Sequence, residues 1–230
     1  MSSRHPLDRP IWTALSGRQS GFALGDGPAR RIAADVGVFV AAEDDSPASL
    51  EALAELVRMH GESWRMEVGA APVPGTETIT EAKGMQMVAD RLTPAGPPAF
   101  AFEALADADA PEMLELALLT KPGPFAARTH QLGDFVGVRR DGRLIAMAGE
   151  RLRPEGFTEV SGVCTLPEHR GQGYAAGLMR HVAGRILDRG ETPFLHAYAT
   201  NTGAIGLYET LGFRIRTEVT VTALIPARTS

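Results

Sequence analysis

"PEHRGQGYAAGLMRHV", Pro167 to Val182, sets an arginine and two glycines at the junction between an apolar stretch and an amphipathic one. Glycine inside a helix costs about 0.5–1 kcal/mol relative to alanine, so Gly171 and Gly173 need a reason. The residues before them, "FTEVSGVCTL" (157–166), read as a strand. Those after, "GYAAGLMRHVAGRILDRG" (173–190), carry Leu178, Val182, Ala183 and Ile186 at helical spacing, with Gly190 as the stop. At such a junction the first helical amides have no intrahelical acceptor, and the helix dipole adds to them, so an anion is favoured there. In "RGQGYA" the glycines leave successive N–H groups bare and Arg170 adds a fixed charge, a cradle for phosphate or pyrophosphate. The plainer alternative is that the glycines only let strand and helix pack closely.

Working outward, "PFLHAYA" (193–199) reads as a strand, "TGAIGLYETLG" (202–212) as a short helix and "FRIRTEVTVTAL" (213–224) as one bent strand or two. Upstream, "DFVGVRRDGRLIAMAGERL" (134–152) reads as a hairpin turning at Asp141-Gly142, "DAPEMLELALLT" (109–120) as a helix and "AFAFEAL" (99–105) as a strand. The order β-α-β-β-β-α-β-α-β(β) predicts a helix-flanked mixed α/β sheet. Pro94, Gly96, Pro97 and Pro98 break regular structure, and a domain boundary is expected there, giving 1–97 and 98–230. Within 1–97 the strand "VGVFVAA" (36–42) and the helix "SPASLEALAELVRMHG" (46–61), with Ser46 as cap and Gly61 as stop, are distinct; the rest is not.

Bulk properties exclude several classes. With 23 basic and 28 acidic residues and a net charge of −5, the chain offers nucleic acid mild repulsion. Cys164 is the only cysteine, so no intrachain disulfide or cysteine-clustered zinc site forms, and a reducing, cytoplasmic compartment is expected. The start "MSSRHPLDRPIW" lacks a signal-peptide core, and no run approaches the roughly 18–20 apolar residues of a membrane span. The six histidines make no metal signature; His169, His181 and His196 read as solvated or packing residues, and Trp12 and Trp64 as core of the N-terminal segment. No metal is expected.

The loop lacks the Gly-Lys-Ser/Thr ending of a P-loop, and "PFLHAYATN" lacks the acid a dinucleotide fold places on ribose. A second constellation points elsewhere. Arg170, Gly173 and Ala175 form R-x-x-G-x-A, and some 30 residues on "NTGAIGLYETLGF" (201–213) forms N-x-x-A-x-x-L-Y-x-x-L-G-F. Together they resemble the GNAT superfamily of coenzyme A-dependent N-acetyltransferases, over about 98–230. "GVCTLPEHRGQGYAAGLM" with "ETPFLHAYATNTGAIGLYETLGF" looks closest to the glycine N-acyltransferase-like branch, whose GNAT unit is C-terminal. The resemblance implies that Arg170, Gly171, Gln172, Gly173, Tyr174 and Ala175 hold the pyrophosphate of acetyl-CoA, and that Val163, Cys164 and Thr165 border the pantetheine arm opposite "HAYAT". It further implies that Asn201 contacts that arm and that Tyr208 lies near the thioester sulfur. Residues 1–97 would be a second lobe, a degenerate half of the same fold that shapes the acceptor cleft.

Acyl transfer to an amine needs a proton acceptor, an oxyanion donor and a proton for the thiolate. Strand alternation places Glu159, Ser161, Val163 and Thr165 on one face, making Glu159 the first candidate base, with Glu150 or ordered water in reserve. Tyr208 can donate to the leaving thiolate, since phenol and thiol pKa values lie within about two units; a packing tyrosine is the alternative. The N–H near Val163 is the expected oxyanion donor. Cys164, alternating away toward the core, reads as inert, which favours direct attack over an acyl-enzyme. The expectation is an acetyltransferase acting on a small-molecule or peptide amine; the rival is a non-catalytic acyl-CoA sensor.

Overall fold

The computed structural model describes residues 5–228. The first part of the chain forms α1 (Pro10–Ser16), β1 (Ala23–Leu24), β2 (Ala29–Ile32), β3 (Val40–Ala42), α2 (Pro47–His60), β4 (Ser63–Glu67) and β5 (Thr76–Val88). The rest forms β6 (Glu103–Leu105), α3 (Ala110–Thr120), β7 (Phe135–Arg140), β8 (Arg143–Glu150), β9 (Phe157–Thr165), α4 (Tyr174–Asp188), β10 (Thr192–Tyr198), α5 (Thr202–Leu211) and β11 (Arg214–Pro226).

Local chemistry accounts for most boundaries. The Ser46 hydroxyl accepts the Ser49 N–H at the start of α2, Pro47 fills its first turn, and Gly61 closes it at φ +75°. Asp141 and Gly142 both take positive φ, as the two-residue turn between β7 and β8 requires. "AFAFEAL" yields only three strand residues, and "VGVFVAA" three plus a bridge from Phe39 to Trp64. β11 is a single strand, with register shifts at Ile215/Thr217 and Ala223/Leu224.

A mixed sheet of eight strands runs β4-β11-β5-β10-β9-β8-β7-β6, and β1-β2-β3 form a small separate one. The sheet crosses the proline-rich stretch: β5 lies antiparallel between β10 and β11, and β4 pairs with the outer side of β11. The break at 97/98 is therefore a connection within one sheet, and the strands β4 and β5 of the indistinct region belong to it. The outer residues of β5, "TETITEAK", are largely exposed and polar, which hid that strand. The core under β7–β10 takes Met113, Leu116 and Ala117 from α3 and Leu178, Val182 and Ile186 from α4. A second cluster joins Leu7, Ile11 and Phe39 to Leu152, Phe194 and Val219, tying the N-terminal elements to the sheet. No helix among the described residues is long and apolar enough to cross a membrane.

Candidate functional site

β9 and β10 are parallel neighbours for only three residue pairs, ending at Glu159 with Phe194. Beyond that point β9 stays on β8 and β10 on β5, so the two strands splay. The divergence is reinforced by a bulge in β9: between the pairs Met147–Cys164 and Gly149–Ser161, one residue of β8, Ala148, stands against two of β9, Gly162 and Val163. Gly162, at φ +63°, supplies it, and an added Cβ there would lie 2.8 Å from the Phe135 ring. Gly162 and Val163 have no partner on either neighbouring strand.

The bulge corrects the alternation. Cross-strand partners share a face, so Glu159 and Ser161 lie with Cys164, while Thr165 lies with Val160. A cavity of about 780 Å³ opens at the splay, lined on one side by Val163, Cys164, Thr165, Arg170, Ala175, Asn201 and Tyr208.

The loop after β9 has the form of an anion cradle. Gly171 and Gly173 take φ of +77° and +81°, with open space around both. They are needed for backbone conformation, not for room. No side chain caps α4, and Gly177 N–H to Gly173 C=O opens its bonding, which leaves the preceding amides for a ligand. Arg170 Nε donates to the Thr165 carbonyl at 3.3 Å. The side chain of Tyr174 turns away: it is buried, its hydroxyl accepts from Arg140 and donates to Gln172, and its ring meets Phe100 at 4.8 Å. Tyr174 can offer only its amide. Asn201 caps α5 by accepting the Ala204 N–H, leaving its own amide hydrogens for the cavity.

Tyr208 lines the same cavity from α5, and burial pushes its phenol above the ordinary value, so it keeps its proton at neutral pH. Cys164 is buried and its thiol is pushed up to about 11 by burial, leaving almost no thiolate.

Glu159 lies behind the cavity wall and does not line it. It is fully buried, takes two parallel bonds of 2.8 Å from Arg151 Nε and Nη2, and meets His196 Nδ1 at 2.7 Å. Burial pushes its carboxyl up, but the charge and hydrogen bonds of Arg151 and the His196 hydrogen bond outweigh it and hold it at about 2. Such a group is a poor proton acceptor, so the expectation of Glu159 as base gives way to that of a buried counter-ion. Glu150 is also buried, pairs with Arg189 at 2.8 Å, and does not line the cavity.

What meets the cavity in its place is His196. Gln86 donates to the Leu7 carbonyl and accepts from Arg216, which fixes its amide and turns Nε2 toward His196 Nε2 at 3.0 Å. The imidazole nitrogen there must accept, so the proton sits on Nδ1, facing Glu159. The sequence signal was its place between Phe194 and Tyr198 at strand spacing, on one face of β10. The rest of the lining had no local signal: Phe39, Glu62, Trp64, Met66, Lys121, Arg151 and Val221 come from five separate segments. Trp64 packs against the second core cluster, as expected, and also lines the cavity, donating its indole N–H to Glu62 at 2.8 Å.

Residues 135–221 match the family model described as FR47-like protein. Over 98% of this chain and 100% of the other, the structure is similar to a protein from Novosphingobium aromaticivorans DSM 12444 assigned to the GNAT family of acetyltransferases, at 47% identity and a TM-score of 0.88. The fold is shared with a GCN5-related N-acetyltransferase from Kribbella flavida at 20% identity, covering 95% and 96% of the two chains with a TM-score of 0.62. It is shared too with a GCN5-related N-acetyltransferase-like protein from Streptococcus suis 89/1591 at 16% identity, covering 94% and 92% with a TM-score of 0.55. A comparison with curated proteins gives no match.

Proposed function

Because the chain belongs to the GNAT family of acetyltransferases, we propose that it moves an acyl group, acetyl in the first instance, from coenzyme A to a primary amine by direct attack in a ternary complex. The observation that carries this reading is the convergence on one cavity of the splayed, bulged edge of β9, Arg170 beside the bare amides of α4, and Tyr208. Arg170 and the amides from Gly171 to Ala175 suit a diphosphate, and Val163 to Thr165 suit an extended amide-bearing arm laid along the unpaired strand edge. Residues 5–62 complete the acceptor side through Phe39 and Glu62.

Acyl-coenzyme A supplies the thioester: the amine nitrogen bonds to its carbonyl carbon, the carbon–sulfur bond breaks, and an amide and a free thiol result. The Val163 N–H, without a ladder partner, is the donor we assign to the oxygen that gains charge. Tyr208 gives its proton to the departing sulfur. We assign the amine's proton to His196 Nε2. Proton uptake there requires the Gln86 amide to swing off Nε2, because an imidazolium N–H cannot face the amide's own donor. Glu159, on Nδ1, then balances the imidazolium. The high thiol pKa of Cys164 and its place in the core support direct attack over an acyl-enzyme.

Titration calorimetry with acetyl-CoA and thiol release over a panel of primary amines test the reading together. Heat on binding and amine-dependent thiol release are expected, and His196→Gln should lower kcat at least about tenfold. No heat at millimolar acetyl-CoA overturns the reading; heat without thiol release for any amine leaves the sensor in its place.

A further inference from the structure

The acceptor side of the cavity carries a charge that the acyl-transfer steps do not use. Arg151 follows β8, and its backbone is held at both ends: its N–H donates to the Glu159 carbonyl at 3.1 Å and its carbonyl accepts from Gln19 Nε2 at 2.6 Å. Its guanidinium is held from behind, with Nε and Nη2 on Glu159 and its carbon 4.8 Å from the centre of the Phe39 ring. Nη1 donates to no protein atom among the described residues, is not sealed from solvent, and belongs to a side chain that lines the cavity. A planar fork anchored along one edge and open at the other is built to receive an oxygen pair or a single carboxylate oxygen.

The surroundings agree in sign. Lys121, Arg151 and Arg170 line the cavity against one acid, Glu62, which is exposed and already accepts the Trp64 indole hydrogen. Arg170 lies at the diphosphate cradle and Glu159 balances the charge of Arg151 from behind, so the acceptor side offers the Lys121 charge and the open Nη1 hydrogens of Arg151. Around them the wall is apolar and aromatic, from Val38, Phe39, Trp64, Met66 and Val221. A polyamine finds cations where it needs carboxylates, and an apolar amine without an anion leaves Nη1 unpaired.

We propose that the acceptor is an apolar or aromatic α-amino acid, its carboxylate received by Nη1 of Arg151 and its side chain by the Phe39–Trp64 wall, with the amine turned toward Val163. This rests on the acyl-transfer reading and names its substrate class. The transfer is the one written above: the amino nitrogen gains the acyl carbon, thiol is released, and the product is an N-acyl amino acid whose carboxylate is unchanged.

The test compares phenylalanine with phenylalaninamide, and leucine with leucinamide, as acceptors for saturating acetyl-CoA at pH 8, read by thiol release on the full chain. The amide carries the weaker base and so holds more free amine; a preference for the acid therefore works against amine basicity and reports the carboxylate. We expect kcat/KM for the acid to exceed that for the amide at least about tenfold. Arg151→Lys should raise KM for phenylalanine and shrink the acid-to-amide ratio toward one. Should that variant fold poorly, the wild-type ratio decides alone. An amide as good as the acid overturns the proposal and favours a peptide N-terminus. Silence of both amino acids with heat from acetyl-CoA also overturns it. Absence of that heat removes the acyl-transfer reading itself, a separate and earlier failure.

Discussion

The two sides of the cavity are built in opposite ways. The cofactor side comes from one stretch, Val163 to Tyr208, in which strand, loop and two helices follow one another. The acceptor side is assembled from pieces as far apart as Val38 and Val221, held together by a polar chain running from the buried Arg151 and Glu159 through His196 and Gln86 to the half-buried Arg216 and Asp8. A local motif can be damaged without loosening the fold. An assembled wall shares its bonds with the tertiary structure, so damage there costs stability as well as function.

The largest effect that sharpens this contrast is expected from Gly173→Glu. The substitution forces a side chain onto a φ of +81° and sets a carboxylate at the anion cradle, while the space around it is open. Affinity for acetyl-CoA should fall at least about 100-fold by calorimetry, with the melting temperature lowered by no more than about 5 °C. A variant that melts far lower would mean that the loop, too, is part of the scaffold. Tyr208→Phe belongs to the same side: kcat should fall about 100-fold with KM for acetyl-CoA little changed. Full turnover would strip Tyr208 of its role as proton donor.

Glu159→Gln probes the assembled side and should act first on stability. Removing one partner of a buried ion pair costs about 3–5 kcal/mol, which corresponds to a loss of about 10 °C in a chain of this size. The pH dependence has a definite sign. The folded value of about 2 lies below the ordinary 4.5, so the contribution is complete above about pH 4.5 and is lost as the pH falls through 2. Thermal melts at pH 5 and pH 3 should show the wild type losing more than Glu159→Gln over that interval. Equal losses would mean that the carboxylate is not paired as the geometry has it.

The same contrast governs what could be read from the chain alone. That Arg170, Asn201 and Tyr208 share one cavity wall followed from a single local run, and the glycines at 171 and 173 announce φ > 0 without any tertiary information. Glu159 was found by strand spacing and yet misassigned in role, since its partner Arg151 lies across an irregular turn and His196 on another strand. The alternation failed at Gly162, because a glycine within a strand pattern does not by itself declare a bulge. β5 escaped because half its length is exposed on both faces and alternates polar residues with polar. The break at 97/98 was drawn from prolines, which report the end of regular structure but not the end of a sheet.

Cys164 gives the smallest expected effect and marks where the two sides meet. It lies on the cavity wall beside Val163, but its side chain is buried in the core with a thiol pushed up to about 11. A thiol with that pKa is almost wholly protonated at neutral pH and is a weak nucleophile. Only the backbone of the residue faces the donor in our reading, and Cys164→Ala leaves the backbone in place while removing one buried sulfur. The expected cost is about 1 kcal/mol, seen as a fall of about 3 °C in melting temperature, with less than about a threefold loss in kcat/KM. Mass spectrometry of the wild type quenched during turnover should show no acyl adduct. An acylated Cys164, or a loss of 100-fold in the alanine variant, would move the nucleophile onto the protein and replace the ternary complex with a two-step exchange.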